Sequence, residues 1–386
     1  MTYNNSKKMN KIASYFLLFF GLMMLGGLWG CKTDSPKKPN PPSTNLAEAR
    51  LELARNMANG LIIPAYEQLS QRANELEVAV GAFTRNPDAA SLLAAREGLK
   101  AAWLQWQSAA MYLFGPAENV VLRQSLATYP ANEEKIEQNI ASGSYILGSL
   151  DNQAAVGFPA LDYLLNGLGD EAQVLAAYTT DSLADGRRTY LQDLSAEISA
   201  KVNASLQGWL AAGDNYVAEF TDPSAGGTDL GSALGLLVNS IDLHFQRFVR
   251  DGKVAIPAGI RSAGVPRPKT IEARYGGYAV ELLRASLQAY HRLFLGIDAN
   301  GLDGMGLYDY LLLLEAEQLA NDMKNQYESL QAAAEQLGDS MEEEIDQHPE
   351  RLEALFVDMQ KIVVWIKSDM ASVMGITLTN QDNDGD

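Results

Sequence analysis

From Leu46 onward, apolar residues recur three and four positions apart along most of the chain. The pattern is clear in LAEARLELARNMANGLIIPAYEQL and AASLLAAREGLKAAWLQWQSAAMYLF, and it is typical of amphipathic helices that pack on other helices. The sequence contains no convincing set of alternating strands bounded by turns. Further helices are predicted over about 181–212, 230–251, 270–295, 305–337 and 349–374. The pattern therefore predicts an all-α protein built from two helical bundles of long antiparallel helices.

Proline and glycine divide this helical region. The stretch FTDPSAGGTD at 220–229 breaks two helical runs, which predicts an N-terminal bundle over residues 46–222 and a C-terminal bundle over residues 223–386. A second such stretch, PAGIRSAGVPRP at 257–268, is long for a connection inside a bundle. Long ordered loops are more often functional than neutral.

The chain begins with a segment typical of export rather than of a folded core. Lysines precede an apolar run from Ile12 to Gly30, and the run ends in LWGC. This ending resembles a bacterial lipobox, which predicts that residues 1–31 form a lipoprotein signal peptide with Cys31 as the lipidated residue. An uncleaved transmembrane anchor is the alternative, since the run is close to the ~20 residues that span a bilayer. The glycines in the run and its end at the cysteine favour the lipobox.

Cys31 is the single cysteine of the chain, so no disulfide can form within it. Residues 32–45 are rich in proline and lack apolar periodicity, as expected of an extended linker between a membrane and a domain. Both interpretations of the leader place the remaining chain on the outer side of the cytoplasmic membrane. Lys32 is not the aspartate that retains many lipoproteins in the inner membrane, which gives a mild preference for the outer membrane.

Charge narrows the possible partners. The formal net charge of −18 disfavours nucleic acid, because binding to phosphates requires a basic surface that displaces counterions. An acidic surface is also repelled by anionic lipid. The membrane is therefore expected as a partner through the lipid at Cys31 rather than through a basic patch.

The histidines do not form a zinc-hydrolase pattern, in which two of them lie one helical turn apart near a carboxylate. His244 and His291 lie in apolar runs and are expected to be packed or interfacial, whereas His348 precedes a helix start and is expected to be solvated. No Ser-His-Asp order is supported either. Which residues could hold a metal is left open.

Two acidic stretches are similar in composition to calcium loops. DANGLDGMG at 298–306 lacks the spacing and the bidentate glutamate of an EF-hand, and DNDGD at 382–386 ends before a twelve-residue loop could close. A turn and an acidic tail are the favoured interpretations. Trp103 and Trp106 are expected in the core rather than in a cofactor platform.

Several stretches, in order, resemble the imelysin-like family. They are LIIPAY at 61–66, AWLQWQSAAMYLFGPAE at 102–118, TYPANEEKIEQNI at 128–140, GFPALDYLL at 157–165, KVAIPAGIRS at 253–262, IEARYGGYAVELLRASLQAYHRLFLG at 271–296 and the terminal DNDGD. The resemblance spans nearly all of the chain after the leader. It implies a pair of helical bundles, a secreted or lipid-anchored location on the periplasmic side, a role in bacterial iron uptake and iron as a possible cofactor.

The family carries the motif Gly-x-His-x-x-Glu where this chain has Gly157, Pro159 and Asp162. In the motif an imidazole and a carboxylate three residues apart lie on the same face of a helix and can bind one ligand or metal. Proline offers no donor or acceptor, and aspartate is one methylene shorter than glutamate. The local sequence instead favours a helix start, with Pro159 at the first helical position and Asp162 where the helix dipole favours an anion.

The sequence thus favours a binding or accessory protein over an enzyme, because the site that supports the proposed peptidase activity of the family is degenerate here. Such a protein would act in iron uptake from the cell envelope, together with a partner protein or an unidentified ligand. A metallopeptidase-like enzyme and a surface interaction module without a small-molecule ligand are the alternatives. The sequence does not name the ligand, the oligomeric state or the membrane that carries the anchor.

Overall fold

The structure, a computed structural model, describes residues 45–379. Its α-helices before residue 223 are α1 (Leu46–Asn56), α2 (Ile63–Arg85), α3 (Ala89–Ala109), α4 (Pro116–Asn119), α5 (Leu122–Leu126), α6 (Glu133–Ser142), α7 (Gly157–Asn166), α8 (Glu171–Thr179), α9 (Ala184–Trp209) and α10 (Tyr216–Phe220). Those after it are α11 (Ala233–His244), α12 (Ala279–Leu295), α13 (Leu307–Leu313), α14 (Glu317–Glu335), α15 (Met341–Gln347), α16 (Pro349–Val364) and α17 (Ala371–Met374). The described chain is all-α, as predicted.

In the part of the chain that the structure describes, three segments form π-helix and four short segments form 3-10 helices. The π-helical segments are Met57–Ile62, Phe245–Ala255 and Trp365–Met370, each continuous with an α-helix before it. The 3-10 helices are Leu150–Asn152, Pro223–Ala225, Ile260–Ser262 and Pro268–Thr270. Within residues 45–379, strand-type pairing is limited to an isolated bridge between Ile297 and Asp303.

Long helices pack side by side in both halves of the sequence. Helix α2 lies between α3 and α9, whereas α14 lies between α12 and α16. Helix α3 also contacts α12, so the core is continuous from one half to the other. The predicted boundary at residues 222 and 223 falls between α10 and α11, and the division into two bundles stays a prediction.

Two predicted helices differ from those observed. The helix predicted over 270–295 begins only at Ala279, because Ala273 and Gly277 both adopt positive φ. The helix predicted over 305–337 is interrupted between α13 and α14, where Glu315 has a φ of 60°. A left-handed residue cannot continue a right-handed helix, and hydrophobic periodicity does not reveal it.

None of the helices between residues 45 and 379 combines the length and the apolar character that a bilayer crossing requires. The leader and Cys31 lie outside the described residues, as does the acidic tail at 382–386.

Candidate functional site

The motif Gly157, Pro159 and Asp162 lies at the start of α7. Gly157 is the first helical residue and has a φ of +76°. A Cβ atom there would lie 2.4 Å from the carbonyl oxygen of Leu126, so the position accepts no side chain without rearrangement. Pro159 is the third helical residue rather than the first. Its missing N–H still costs nothing, because amides of the first turn have no intrahelical acceptor.

Asp162 is buried, with 2% of its surface exposed. Its Oδ2 accepts the backbone N–H of Tyr275 at 2.9 Å, and its Oδ1 accepts the side-chain amide of Asn166 at 3.0 Å. Burial raises the pKa of the Asp162 carboxyl from 3.8 to about 6, and the hydrogen bonds from Tyr275, Asn166 and Gly276 oppose that rise. The carboxylate therefore joins α7 to the segment before α12 and does not lie at an exposed helix start.

The segment before α12 lies over this end of α7 mainly through Tyr275. The hydroxyl of Tyr275 is hydrogen-bonded to Glu133, and its ring centre is 5.7 Å from that of Tyr163. Ala273 holds a φ of +50°, which is strained for a residue with a Cβ. Residues from both halves of the sequence thus enclose Asp162.

A cavity of about 490 Å³ lies beside the motif. Pro159 and Asp162 form part of its wall, which also carries Lys269, Arg274 and Tyr275. Its volume is in the range of small-molecule sites. Because the lining offers ammonium, guanidinium, phenol and carboxyl groups, a polar ligand would find both donors and acceptors.

A buried ion pair between Lys253 and Glu272 lies deeper between the halves, and both side chains are 4% exposed. Trp103 donates its indole N–H to the other oxygen of Glu272 at 3.0 Å. Trp103 and Trp106 are buried, as predicted, and Trp103 in addition orients this carboxylate. The pair was missed from the sequence because its members are nineteen residues apart on either side of the proline-rich loop.

The residues at the motif do not fit a metal centre. Within residues 45–379, no group of three or more His, Cys, Asp or Glu side chains is placed to hold an ion. Both oxygens of Asp162 already accept hydrogen bonds, and Pro159 supplies no ligand. The motif positions therefore serve to join two segments of the fold.

The histidines lie where the sequence predicted. His244 is buried, with its Nδ1 2.9 Å from the Tyr290 hydroxyl, and His291 is half-buried with its Nδ1 3.1 Å from Oε1 of Gln331. The side chain of His348 is 41% exposed and lies beside Glu350. The stretch at 298–306 contains a turn in which the Asp298 carboxylate accepts the backbone N–H groups of residues 300 and 302.

Replacing Asp162 with asparagine should remove a pH dependence of stability. Because the pKa of Asp162 is higher in the folded than in the unfolded chain, the wild type loses stability as the pH rises from about 4 to above 6. The introduced side-chain amide can accept the N–H of Tyr275 through its oxygen, and Asn166 can turn its own amide to match. We therefore expect the variant to be more stable than the wild type at pH 7, by up to about 3 kcal/mol, and no more stable at pH 4. Urea unfolding at the two pH values measures this.

Asp185→Asn is the matched control, because it removes the same charge from a side chain that is 93% exposed. Its stability should follow that of the wild type at both pH values. A loss of stability in Asp162→Asn at pH 7 would instead show that the ionised carboxylate stabilises the fold.

The chain matches a known family over most of its length. The family model described as Imelysin, peptidase M75, matches residues 62–358. The chain is 25% identical over 169 residues to iron-regulated protein A from Synechococcus elongatus. That alignment covers 44% of this chain and 43% of the relative, so the chain spans less than half the length of the curated relative it matches.

Two crystal structures have a similar fold. An imelysin-like protein from Psychrobacter arcticum 273-4 superimposes with a TM-score of 0.68 at 17% identity, over 86% of this chain and 97% of that protein. A putative iron-regulated protein A precursor from Parabacteroides distasonis gives a TM-score of 0.67 at 16% identity, over 88% and 97% of the two chains. The family resemblance of the sequence is confirmed, and at these identities the two structures support the fold alone.

Proposed function

Since the chain belongs to the imelysin family, we propose that it is a binding or accessory protein of the cell envelope that serves iron uptake. The names of two similar proteins from different bacteria, iron-regulated protein A and a putative iron-regulated protein A precursor, support the link to iron. The lipobox-like sequence that ends at Cys31 supports attachment to a membrane, with the outer membrane preferred.

The surroundings of Asp162 are the main observation that favours a binding protein over a peptidase. A metallopeptidase site requires ligands that converge on an open coordination position. Here the carboxylate at the motif accepts hydrogen bonds from the backbone of Tyr275, in the other half of the sequence, and from Asn166 on its own helix, and proline replaces the imidazole. The adjacent cavity, in contrast, has the size and the polar lining of a small-molecule site. Ligand capture, with or without a partner protein, accounts for both features.

Deletion of the gene should slow growth of the bacterium when a chelator limits iron and should leave growth unchanged when iron is in excess. The wild-type gene supplied in trans should restore growth. The growth rate across a chelator series measures the effect.

Two controls accompany this experiment. Complementation with Cys31→Ser should leave an unprocessed precursor, which tests the anchor separately from the iron role. Incubation of the purified protein with a denatured protein substrate tests the alternative, and chelator-sensitive cleavage would support a peptidase. Equal growth of the deletion strain and the parent under iron limitation would contradict the proposed role in uptake.

A further inference from the structure

A second, much smaller cavity lies on the other side of Tyr129 from the cavity at Asp162. Tyr129 lines both cavities. The inner one, here called the inner chamber, is also lined by Arg123, His244, Lys253 and Glu272 and has a volume of about 20 Å³. Such a volume holds one water-sized group. The inner chamber can therefore admit a single oxygen atom among several side chains that carry strong hydrogen-bonding groups.

Lys253 has more donors than its neighbours use. An ammonium carries three N–H groups. In the described part of the chain, Lys253 donates one hydrogen bond, to Glu272. Glu272 in turn is fully engaged, since its other oxygen accepts the indole N–H of Trp103. The buried ammonium thus keeps donor capacity, and the carboxylate beside it does not have a free oxygen for a cation.

Arg123 also has N–H donors that no protein group in the described chain accepts. Its guanidinium lies over the ring of Phe248, with 4.2 Å between the central carbon and the ring centre. Among residues 45–379, no carboxylate lies within ion-pair distance of Arg123, and its N–H groups donate no hydrogen bond to the protein. Burial lowers the pKa of Arg123 below its ordinary value, with Tyr129 opposing this, yet a guanidinium remains charged. Stacking leaves the N–H edge of the group available to a ligand.

The charges of the inner chamber do not balance. Arg123 and Lys253 are cationic, whereas Glu272 is the only anion of the lining. Burial, and then the charges of Lys253 and Arg123, hold the pKa of His244 well below its usual value, so the imidazole is neutral. An excess positive charge that is partly removed from water is costly unless an anion accompanies it. This local positive charge contrasts with the formal net charge of the whole chain, which is −18.

We propose that the inner chamber binds one oxygen of a small oxyanion, a carboxylate or a phosphate, through Arg123 and Lys253. The guanidinium fork matches the geometry of both groups, and the ammonium adds a point charge. At about 20 Å³ the chamber holds one oxygen of the anion, and the rest of the anion lies outside it. This site is separate from the cavity at Asp162, and its chemistry does not depend on the role in iron uptake.

Titration calorimetry of the full-length protein tests the site with sodium acetate, sodium citrate and sodium phosphate, each against sodium chloride at matched ionic strength. We expect at least one oxyanion to bind more tightly than chloride, and the comparison of carboxylates with phosphate identifies the class. Arg123→Gln should weaken that binding about tenfold or more, since a hydrogen bond to a charged group contributes on the order of 1.5–3 kcal/mol. Arg72→Gln removes the same charge from an exposed side chain that lines neither cavity, and it should retain the wild-type affinity.

Arg123→Lys provides a second variant, because it keeps the charge and removes the fork. Circular dichroism verifies that each variant is folded. An intermediate affinity of Arg123→Lys supports the proposal. Two results would overturn it: a wild type that prefers no oxyanion over chloride, or equal weakening in Arg123→Gln and Arg72→Gln, which would indicate general electrostatic attraction.

Discussion

Lys253→Met should lower the free energy of unfolding by about 3–5 kcal/mol, because it leaves the carboxylate of Glu272 buried without its counter-ion. The two side chains are each 4% exposed, so bulk water does not solvate the carboxylate in place of the ammonium. Trp103 would remain as the one donor to Glu272. Urea unfolding at pH 7, followed by circular dichroism, gives the free energy directly.

A double variant separates loss of the ion pair from loss of packing. Lys253→Met combined with Glu272→Gln removes both charges and keeps an oxygen for the indole N–H of Trp103, so it should be more stable than Lys253→Met alone. Arg72→Met is the surface control, since Arg72 and Glu75 are about half exposed and such pairs contribute about 0–1 kcal/mol. If Lys253→Met cost no more than Arg72→Met, the buried carboxylate would have to be protonated.

Gly157→Ala should destabilise the protein by about 3 kcal/mol or more. The new methyl group would lie 2.4 Å from the carbonyl oxygen of Leu126 and 2.6 Å from that of Ser125, and a φ of +76° adds backbone strain. Strain of this kind costs roughly 1–3 kcal/mol, and overpacking typically adds about 1–3 kcal/mol. The backbone of α5 cannot move away cheaply, because α5 packs against α7 and α9. The midpoint of urea unfolding provides the measurement.

Gly143→Ala isolates the contribution of the backbone. Gly143 has a φ of +64°, but a Cβ there would meet nothing within 4 Å. Its replacement should cost about 1–2 kcal/mol, which is the penalty for a left-handed residue alone. Equal effects at the two glycines would show that the contact with Leu126 and Ser125 is relieved by rearrangement.

Hydrophobic periodicity predicted most of the helices, because their buried faces repeat every three or four residues. The predicted helix over 181–212 corresponds to α9, Ala184–Trp209. The π-helical segment Phe245–Ala255 was not predicted, since the period changes by less than one residue per turn and apolar and charged side chains are still mixed along it. Its widened turns nevertheless bury Arg250 and Lys253.

The chemistry of the site was harder to predict than its place. The motif at 157–162 identified part of the cavity wall, but its partner Tyr275 lies in a segment that periodicity assigned to a helix. The pair of glycines at 276 and 277 was the available signal against a continuous helix. Burial of Asp162 had no local signal, because it results from a contact 113 residues away in sequence.

Because of this separation in sequence, the two partners of each hydrogen bond are synthesised at different times. Asp162 is synthesised 113 residues before the amide that it will accept, and Trp103 emerges 169 residues before Glu272. At about 5–20 residues per second, the first of these intervals lasts on the order of ten seconds. During it the nascent N-terminal half carries a carboxylate and an indole N–H whose partners do not yet exist. The first half therefore cannot complete its hydrogen bonds until the second half has been synthesised. A chain interrupted before residue 275 would expose polar groups without their partners and would become a substrate for chaperones and proteases.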